Sequence, residues 1–335
     1  MELLNIDSHV IPGAYAYATP SVRSLGTEIA WVNNDHLYAF VPGQSRPELI
    51  YTSAQGSYIP DFVGSSAGYA LLTQETVKGD SSFRWRLWFL AGAGSEPVLV
   101  DEFDNDSMPL PTLAMDARHI AWARTRGAGD DVVSELRILD IDELDRPRTL
   151  ATYPYWETNV EHPALNGDEL WYGVRVNDWD AGTESPRVEM LDLADPGAPP
   201  VVYGQDQRAF MPSANDEVVV WKGGGSAEDS ADAWGSLYVY RRSDGSVERI
   251  QGVNWPGKPG DDRVMYPSVG DRFVAWWDGS AKVDLYDLTA RAVIHVVKND
   301  PYGNGLAASV AGNLLAFESP GDAHHMQLNW AQLPD

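Results

Sequence analysis

A proline that opens a short apolar stretch, answered nine or eleven residues later by a large apolar residue in a second stretch, recurs through this chain from end to end. The pairs are Pro20 and Trp31, Pro60 and Leu71, Pro111 and Trp122, Pro163 and Tyr172, Pro212 and Trp221, and Pro267 and Trp276. A seventh copy keeps the spacing with Ala308 and Phe317. A unit of roughly 40 to 55 residues with strand chemistry cannot bury its own apolar faces, so neighbouring copies must stack. The pattern predicts an all-β radial array, a seven-bladed β-propeller of four-stranded antiparallel blades.

The sixth copy shows the unit. Pro267, Ser268 and Val269 form a short strand, Gly270 and Asp271 a turn, and Phe273 to Trp277 a second strand; Val283 to Leu288 and Ala292 to Val297 supply the third and fourth. Second strands are continuously apolar, as in His119-Ile120-Ala121-Trp122, which is expected where both sheet faces are covered by neighbouring sheets. Third strands alternate, as in Leu136-Arg137-Ile138-Leu139-Asp140. The seventh copy has no fourth strand of its own, and Glu2 to Asp7 reads as the segment that supplies it, which would join the chain ends within one sheet. The large second-strand residues are expected to be packing residues that fill the wedges between blades.

A repeat that runs through the whole chain leaves no place for a second core, so residues 1–335 are expected to form one domain. No apolar run approaches the length of a membrane span, and a monomer without membrane insertion is expected. With 49 acidic against 24 basic residues the mean field repels phosphate backbones and anionic lipid, which excludes general nucleic-acid binding, whereas a cationic partner or metal ions are compatible. The absence of cysteine excludes disulfides, thiol catalysis and cysteine-ligated zinc. No leader precedes the first strand, and the acidic surface favours a periplasmic or secreted mature form over a cytoplasmic one.

The stretch Pro-Ser-Val-Gly-Asp-Arg-Phe-Val-Ala-Trp from Pro267 to Trp276, followed by Leu285-Tyr286-Asp287-Leu288, resembles the repeats of TolB-like β-propellers, and the resemblance covers essentially the full chain. It implies the propeller fold and a choice among functions, since that group mixes scaffolds that dock proteins, propellers fused to hydrolases and sugar-active propellers.

In a propeller the loops between second and third strands and those between blades open on one face. Those at 73–85, 123–134, 173–186 and 222–235 exceed what a hairpin needs. Trp85, Trp179 and Trp234 from these loops, with Trp156 and Trp255 from inter-blade loops, are candidate ligand-contact residues, because aromatic rings beside Asp and Asn suit both sugar rings and peptide anchors. Asp178 and Asp180, in Asn177-Asp178-Trp179-Asp180-Ala181-Gly182-Thr183-Glu184, join them and would be the ligands of a calcium ion; Asp101, Asp104 and Asp106 form a second acidic group, although no cofactor is required. His9, His162, His324 and His325 are the candidate transition-metal or acid–base set, should the fold bring them together. Gly64-Ser65-Ser66-Ala67-Gly68 has the form of a nucleophile elbow but lacks the strand-to-helix context, and Asn105-Asp106-Ser107 is a glycosylation sequon in form. The expectation is a non-enzymatic propeller that recognises a protein or glycan partner through its loop-rich face; the alternative is a carbohydrate-active enzyme, a polysaccharide lyase or glycoside hydrolase, with its catalytic residues unidentified.

Overall fold

The computed structural model describes residues 8–16, 22–77, 82–105, 110–127, 129–178, 180–224, 236–250, 264–277, 283–297, 307–322 and 325–335. They hold seven four-stranded antiparallel sheets, the blade composition of a seven-bladed β-propeller. After β1 (His9–Ala16) the first sheet is β2 (Val22–Ser24), β3 (Ile29–Asn33), β4 (His36–Phe40) and β5 (Glu48–Thr52). The second is β6 (Ser57–Ser65), β7 (Gly68–Thr76), β8 (Phe83–Leu90) and β9 (Val98–Asn105). The third is β10 (Thr112–Met115), β11 (His119–Arg126), β12 (Val133–Asp140) and β13 (Arg148–Pro154), and the fourth β14 (Thr158–Asn166), β15 (Glu169–Asp178), β16 (Thr183–Asp192) and β17 (Val201–Tyr203). The fifth is β18 (Ala209–Ala214), β19 (Val218–Gly223), β20 (Ser236–Arg241) and β21 (Val247–Arg249). The sixth is β22 (Met265–Val269), β23 (Phe273–Trp277), β24 (Val283–Asp287) and β25 (Ala292–Val297), and the seventh β26 (Ala308–Ala311), β27 (Leu314–Asp322) and β28 (His325–Gln332).

The seventh sheet is completed by β1, whose His9 pairs with Trp330 and Ala16 with Met326. The described ends of the chain therefore share a sheet through residues 9–16, whereas the expected closing segment, residues 2–7, lies outside the described residues. Its Ile11 is fully buried, and Val10 to Tyr15 bulge out of the ladder around Pro12 and Gly13. Proline cannot donate to a ladder, so a strand carrying it pairs on either side of a bulge.

The same constraint explains the repeat itself. His162, Met211 and Tyr266, each just before a motif proline, adopt φ of 50°, 53° and 49°, and in β14 and β22 the register slips at that point. A left-handed backbone at a non-glycine residue costs roughly 1 to 2 kcal/mol and persists only where the surroundings over-determine it. Hydroxyls of the opening strands bond to the neighbouring sheets, and at His162 to the left-handed residue itself. Ser213, Ser268 and Ser309, each just after the motif's first residue, accept the backbone N–H groups of Val269 (3.2 Å), Val310 (3.0 Å) and Ser24 (3.2 Å) in the next sheet. Thr112 likewise accepts from His162 at 2.8 Å. Opening strands of adjacent sheets are thus tied through side chains where no ladder joins them.

The motif's second members are all core: Trp31, Leu71, Trp122, Tyr172, Trp221, Trp276 and Phe317 are at most 3% exposed. The sheets form two compact bodies, one from residues 1–33, 37–50 and 213–335, the other from 34–36 and 51–212. In the second body the second and third sheets share a core of Leu72, Trp85, Leu87, Phe103, Ile120 and Trp122, and the third and fourth one of Ile138, Val160, Tyr172 and Val174. No helix among the described residues is long and apolar enough to cross a membrane.

Candidate functional site

In each antiparallel sheet the start of the first strand, the end of the second, the start of the third and the end of the fourth lie at one end. At that end of the fourth sheet, in the second body, several predicted residues come together with others. Pro154 closes β13, Tyr155 to Glu157 form a tight turn in which Glu157 N–H donates to Pro154 O at 3.0 Å, and β14 begins at Thr158. Trp156 stands on this turn with 42% of its surface exposed. Two contacts hold its ring and a third its backbone. The indole Nε1 donates to the Gly129 carbonyl at 3.2 Å, Tyr155 meets the ring edge-on at 5.0 Å between centroids, and Asn177 Nδ2 donates to the Trp156 carbonyl at 3.3 Å. With its polar edge satisfied, the half-exposed indole is a braced side chain and not a loose one.

Beneath Trp156 the charges are closed against one another. Glu161 Oε1 accepts from Arg175 Nη2 at 2.8 Å, and Arg175 Nη1 lies 3.9 Å from Glu184. The His162 imidazole approaches Glu161 at 4.0 Å, and its side chain is 16% exposed. Burial pushes the Tyr155 phenol above its ordinary range; the Arg175 guanidinium opposes this and the Glu161 and Glu184 carboxylates add to it, so the phenol sits among these charges.

The turn between β11 and β12 carries Asp130 and Asp131 directly after Gly129, and both are exposed, as is Glu157. Asp178 ends β15 beside Asn177; its Oδ1 accepts the Ala181 N–H at 3.0 Å, which makes it a turn former. Asp180 is exposed in the same turn, and Trp179 lies outside the described residues. Among the described residues no group of three or more His, Asp or Glu side chains is arranged to hold a metal ion.

Other expectations are displaced. The segments 73–85 and 173–186 are mostly strand: β7 and β8 remain paired out to Thr76 and Phe83, and β15 and β16 out to Asp178 and Thr183. Polar residues such as Arg175 and Asn177 read as loop although they are half-buried in strand, Arg175 paired with Glu161 and Asn177 bonded to the Trp156 carbonyl. Trp85 is accordingly no contact residue. It lies in β8, is 2% exposed and stacks on Phe103 at 6.5 Å in the core. Trp234 and Trp255 lie outside the described residues, as does His324. Of the first body's candidate histidines, His9 and His325 lie at separate positions along the described strands. His9 is in β1 and not in a loop, with its ring 4.7 Å from Trp330, while His325 opens β28, about 17 Å away along the strand at ~3.4 Å per residue.

The acidic group in β9 is consumed by arginines. Asp101 Oδ2 accepts from Arg124 Nη1 at 2.7 Å, from Arg137 at 3.1 Å and from Trp122 Nε1 at 2.8 Å, and Asp104 pairs with Arg84 at 3.0 Å; Asp106 is outside the described residues. Arg124 also binds Glu135 at 2.9 Å, and Glu135 takes Arg126 at 2.9 Å. Burial alone would raise the Glu135 carboxyl, but the two guanidiniums outweigh it and hold the group below the usual range. Ser65 Oγ donates to Asp116 O at 2.7 Å, and a Cβ on Gly68 would meet Leu90 O at 2.1 Å, so the elbow-like sequence is a tight hairpin. Asn105 is 2% exposed and donates to Thr125 Oγ1 at 2.6 Å, which leaves no acceptor for a glycan.

No protein-family model and no curated protein matches this chain. Solved structures do. The β-propeller domain of the Trilobed protease from Pyrococcus furiosus is similar with a TM-score of 0.61 at 11% identity, over 96% of both chains. An oligogalacturonate lyase solved in complex with manganese is similar at 0.53 and 13% identity, over 95% of this chain and 79% of that one. One of two prolyl endopeptidases is similar at 0.62 and 9% identity, over 93% of this chain; the chain spans only about half, 46%, of that enzyme. At these identities the likeness is one of fold, and it establishes the chain as a seven-bladed β-propeller.

Proposed function

We propose that this protein is a non-enzymatic recognition propeller that engages a protein or glycan partner through the strand ends of its third and fourth sheets. The observation that carries the reading is Trp156, 42% exposed, with its indole braced by Gly129 and Tyr155 and its backbone carbonyl held by Asn177. Exposed rings with locked orientation are what interfaces use as anchors, because little conformational freedom is lost on contact. The repeats' resemblance to TolB-like propellers supports a docking role and a periplasmic or secreted setting, and a monomer suffices, since the surface is built within one chain.

The other reading, a lyase or glycosidase, needs carboxylates available for proton transfer. The buried carboxylates at this end are bound to arginine instead, Glu161 to Arg175 and Glu135 to Arg124 and Arg126. An array of glycans and peptides, combined with product analysis of a panel of polysaccharides, separates the two. Binding to array members that falls at least about ten-fold in Trp156→Ala, with no product formed, is expected. Chain cleavage by the wild type that is lost in Glu161→Gln would overturn the binding reading in favour of the enzyme.

A further inference from the structure

At the end of the third sheet opposite to Trp156, an imidazole is enclosed by carboxylates. His119 opens β11 and faces Asp140, the last residue of β12, across the ladder. The His119 side chain is only 5% exposed, with Nε2 3.3 Å from Asp140 Oδ1 and Nδ1 3.5 Å from Asp116 Oδ1. Asp116 is fixed, because its Oδ1 accepts the backbone N–H groups of Arg118 at 2.7 Å and of His119 at 2.6 Å. Burial would raise the Asp116 carboxyl, but His119 and these N–H groups outweigh it and hold the group below the usual range, so it stays an anion where imidazoles titrate. Asp140 is not fixed in this way. It occupies the N-cap position of the 3-10 turn Ile141–Glu143 with an extended backbone, φ −79° and ψ 134°, yet its side chain makes no capping hydrogen bond and is turned toward His119. A cavity of about 270 Å³, lined by Arg118, Asp140, Asp142 and Glu143 among others, adjoins it and leaves the carboxylate room to move. The other charged groups around the imidazole are engaged elsewhere. Arg118 pairs with Asp168 of the fourth sheet at 3.1 Å, Glu169 beside Asp168 accepts from Trp171 at 2.8 Å, and Glu143 lies 3.5 Å from Arg146. The second sheet contributes the Ser65 hydroxyl, which donates to the Asp116 backbone carbonyl at 2.7 Å.

We propose that Asp140 is a pH-driven two-position switch, paired with the His119 imidazolium in acid and swung onto the backbone N–H groups that start the Ile141–Glu143 turn once the imidazole is neutral. The imidazolium carries two donors and can hold Asp116 and Asp140 together. The neutral ring keeps one N–H, which the fixed Asp116 takes, so that Nε2 turns a lone pair toward Asp140 and repels it. The released carboxylate has an alternative acceptor role at hand, since the N–H groups that open a helical turn have no partner within it. The Ile141 N–H is already bonded to Arg118 O at 2.8 Å, which leaves those of Asp142 and Glu143 for the cap. At neutral pH the swing gathers the carboxylates of Asp140, Asp142 and Glu143 at one cavity, and in acid it withdraws the first of them, so the charge and shape of this end respond to pH. The switch is independent of the recognition reading at Trp156.

The test follows the His119 ring signals and the backbone amide signals of Asp142 and Glu143 in the full chain from about pH 5 to about pH 8, by two-dimensional NMR. As pH rises, at least one of the two amide protons should move downfield, as expected for a new hydrogen bond to a carboxylate, with the same midpoint as the His119 ring. His119→Gln should keep these amides at the wild-type high-pH position throughout. Asp140→Ala should keep them at the low-pH position while His119 still titrates. The wild-type titration stands alone if a variant fails to fold. Amides that stay in place while His119 titrates, amides that move equally in His119→Gln, or a His119 ring that does not titrate in this range would each overturn the switch.

Discussion

Two regions of the same body are built from the same residue types and do opposite things with them. Around Trp122 an indole, two carboxylates and three arginines close on one another: Asp101 takes Trp122, Arg124 and Arg137, and Glu135 takes Arg124 and Arg126. Arg137 also lies over the Trp122 ring at 5.2 Å and Arg124 over Phe103 at 4.9 Å. Around Trp156, one sheet along, the indole N–H is satisfied by a backbone carbonyl, the residue is 42% exposed, Glu161 is paired with Arg175, and among the described residues the exposed Asp130, Asp131 and Glu157 form no ion pair. A charge that is buried and closed holds sheets in register; a charge left open beside an exposed ring is available to something outside the chain. The contrast lies in what compensates each group and not in composition.

The largest effects should fall on the closed region. Arg124→Ala leaves Asp101 and Glu135 without a shared cation in a site where all three side chains are under a tenth exposed, and should cost about 3 to 5 kcal/mol in urea unfolding. A cost below about 1 kcal/mol would mean that the network is not structural. Trp122→Ala should cost a similar amount through its cavity, about 3 to 5 kcal/mol. Ile11→Ala tests whether β1 belongs to the seventh sheet's core, and should cost about 2 to 5 kcal/mol if it does.

Acid sharpens the comparison further. Glu135 has a folded-state pKa below its unfolded one, so the unfolded chain binds the proton more readily. Its contribution is complete above about pH 4.3 and is lost as pH falls through the depressed folded value. Between about pH 5 and pH 3 the wild type should lose more stability than Glu135→Gln, with Asp287, held low by Arg272 against its burial, contributing a slope common to both. The smallest effect should be at the open region: Trp156→Ala should leave the unfolding midpoint within about 0.5 kcal/mol of wild type. A larger loss would make Trp156 a packing residue like Trp122.

The fold was legible because propeller repeats write their core directly into the sequence. Each motif pair joins an opening strand, often bulged at its proline, to a buried residue of the next strand, and Ala308 facing Phe317 is that register in its simplest form. Strand ends were harder to read. Toward this end polar residues take the places of apolar ones and are satisfied by each other, so Arg175, Asn177 and Asp178 lose the apolar alternation and look like a loop while remaining paired. The same ambiguity placed Trp85 on the surface. The closing strand was misassigned because Pro12 and Gly13 interrupt its pattern, whereas the apolar run just before it does not.

The site was legible in part. Trp156 and His162 were visible as residues of inter-blade connections, and Asp178 as part of an acidic turn. The neighbours that decide the chemistry, Gly129 through its carbonyl and Asp130 and Asp131 through their position after it, come from the preceding sheet. Nothing local in Gly129-Asp130-Asp131 marks it as a support for an indole that follows 27 residues later.

The most direct test follows the indole N–H resonances of the two tryptophans during titration with a glycan or peptide that the chain binds on the array, in two-dimensional proton–nitrogen spectra assigned with Trp156→Phe and Trp122→Phe. The account predicts a saturable shift of the Trp156 signal while that of Trp122 stays in place. An unmoved Trp156 signal in a chain that nevertheless binds the ligand would contradict it.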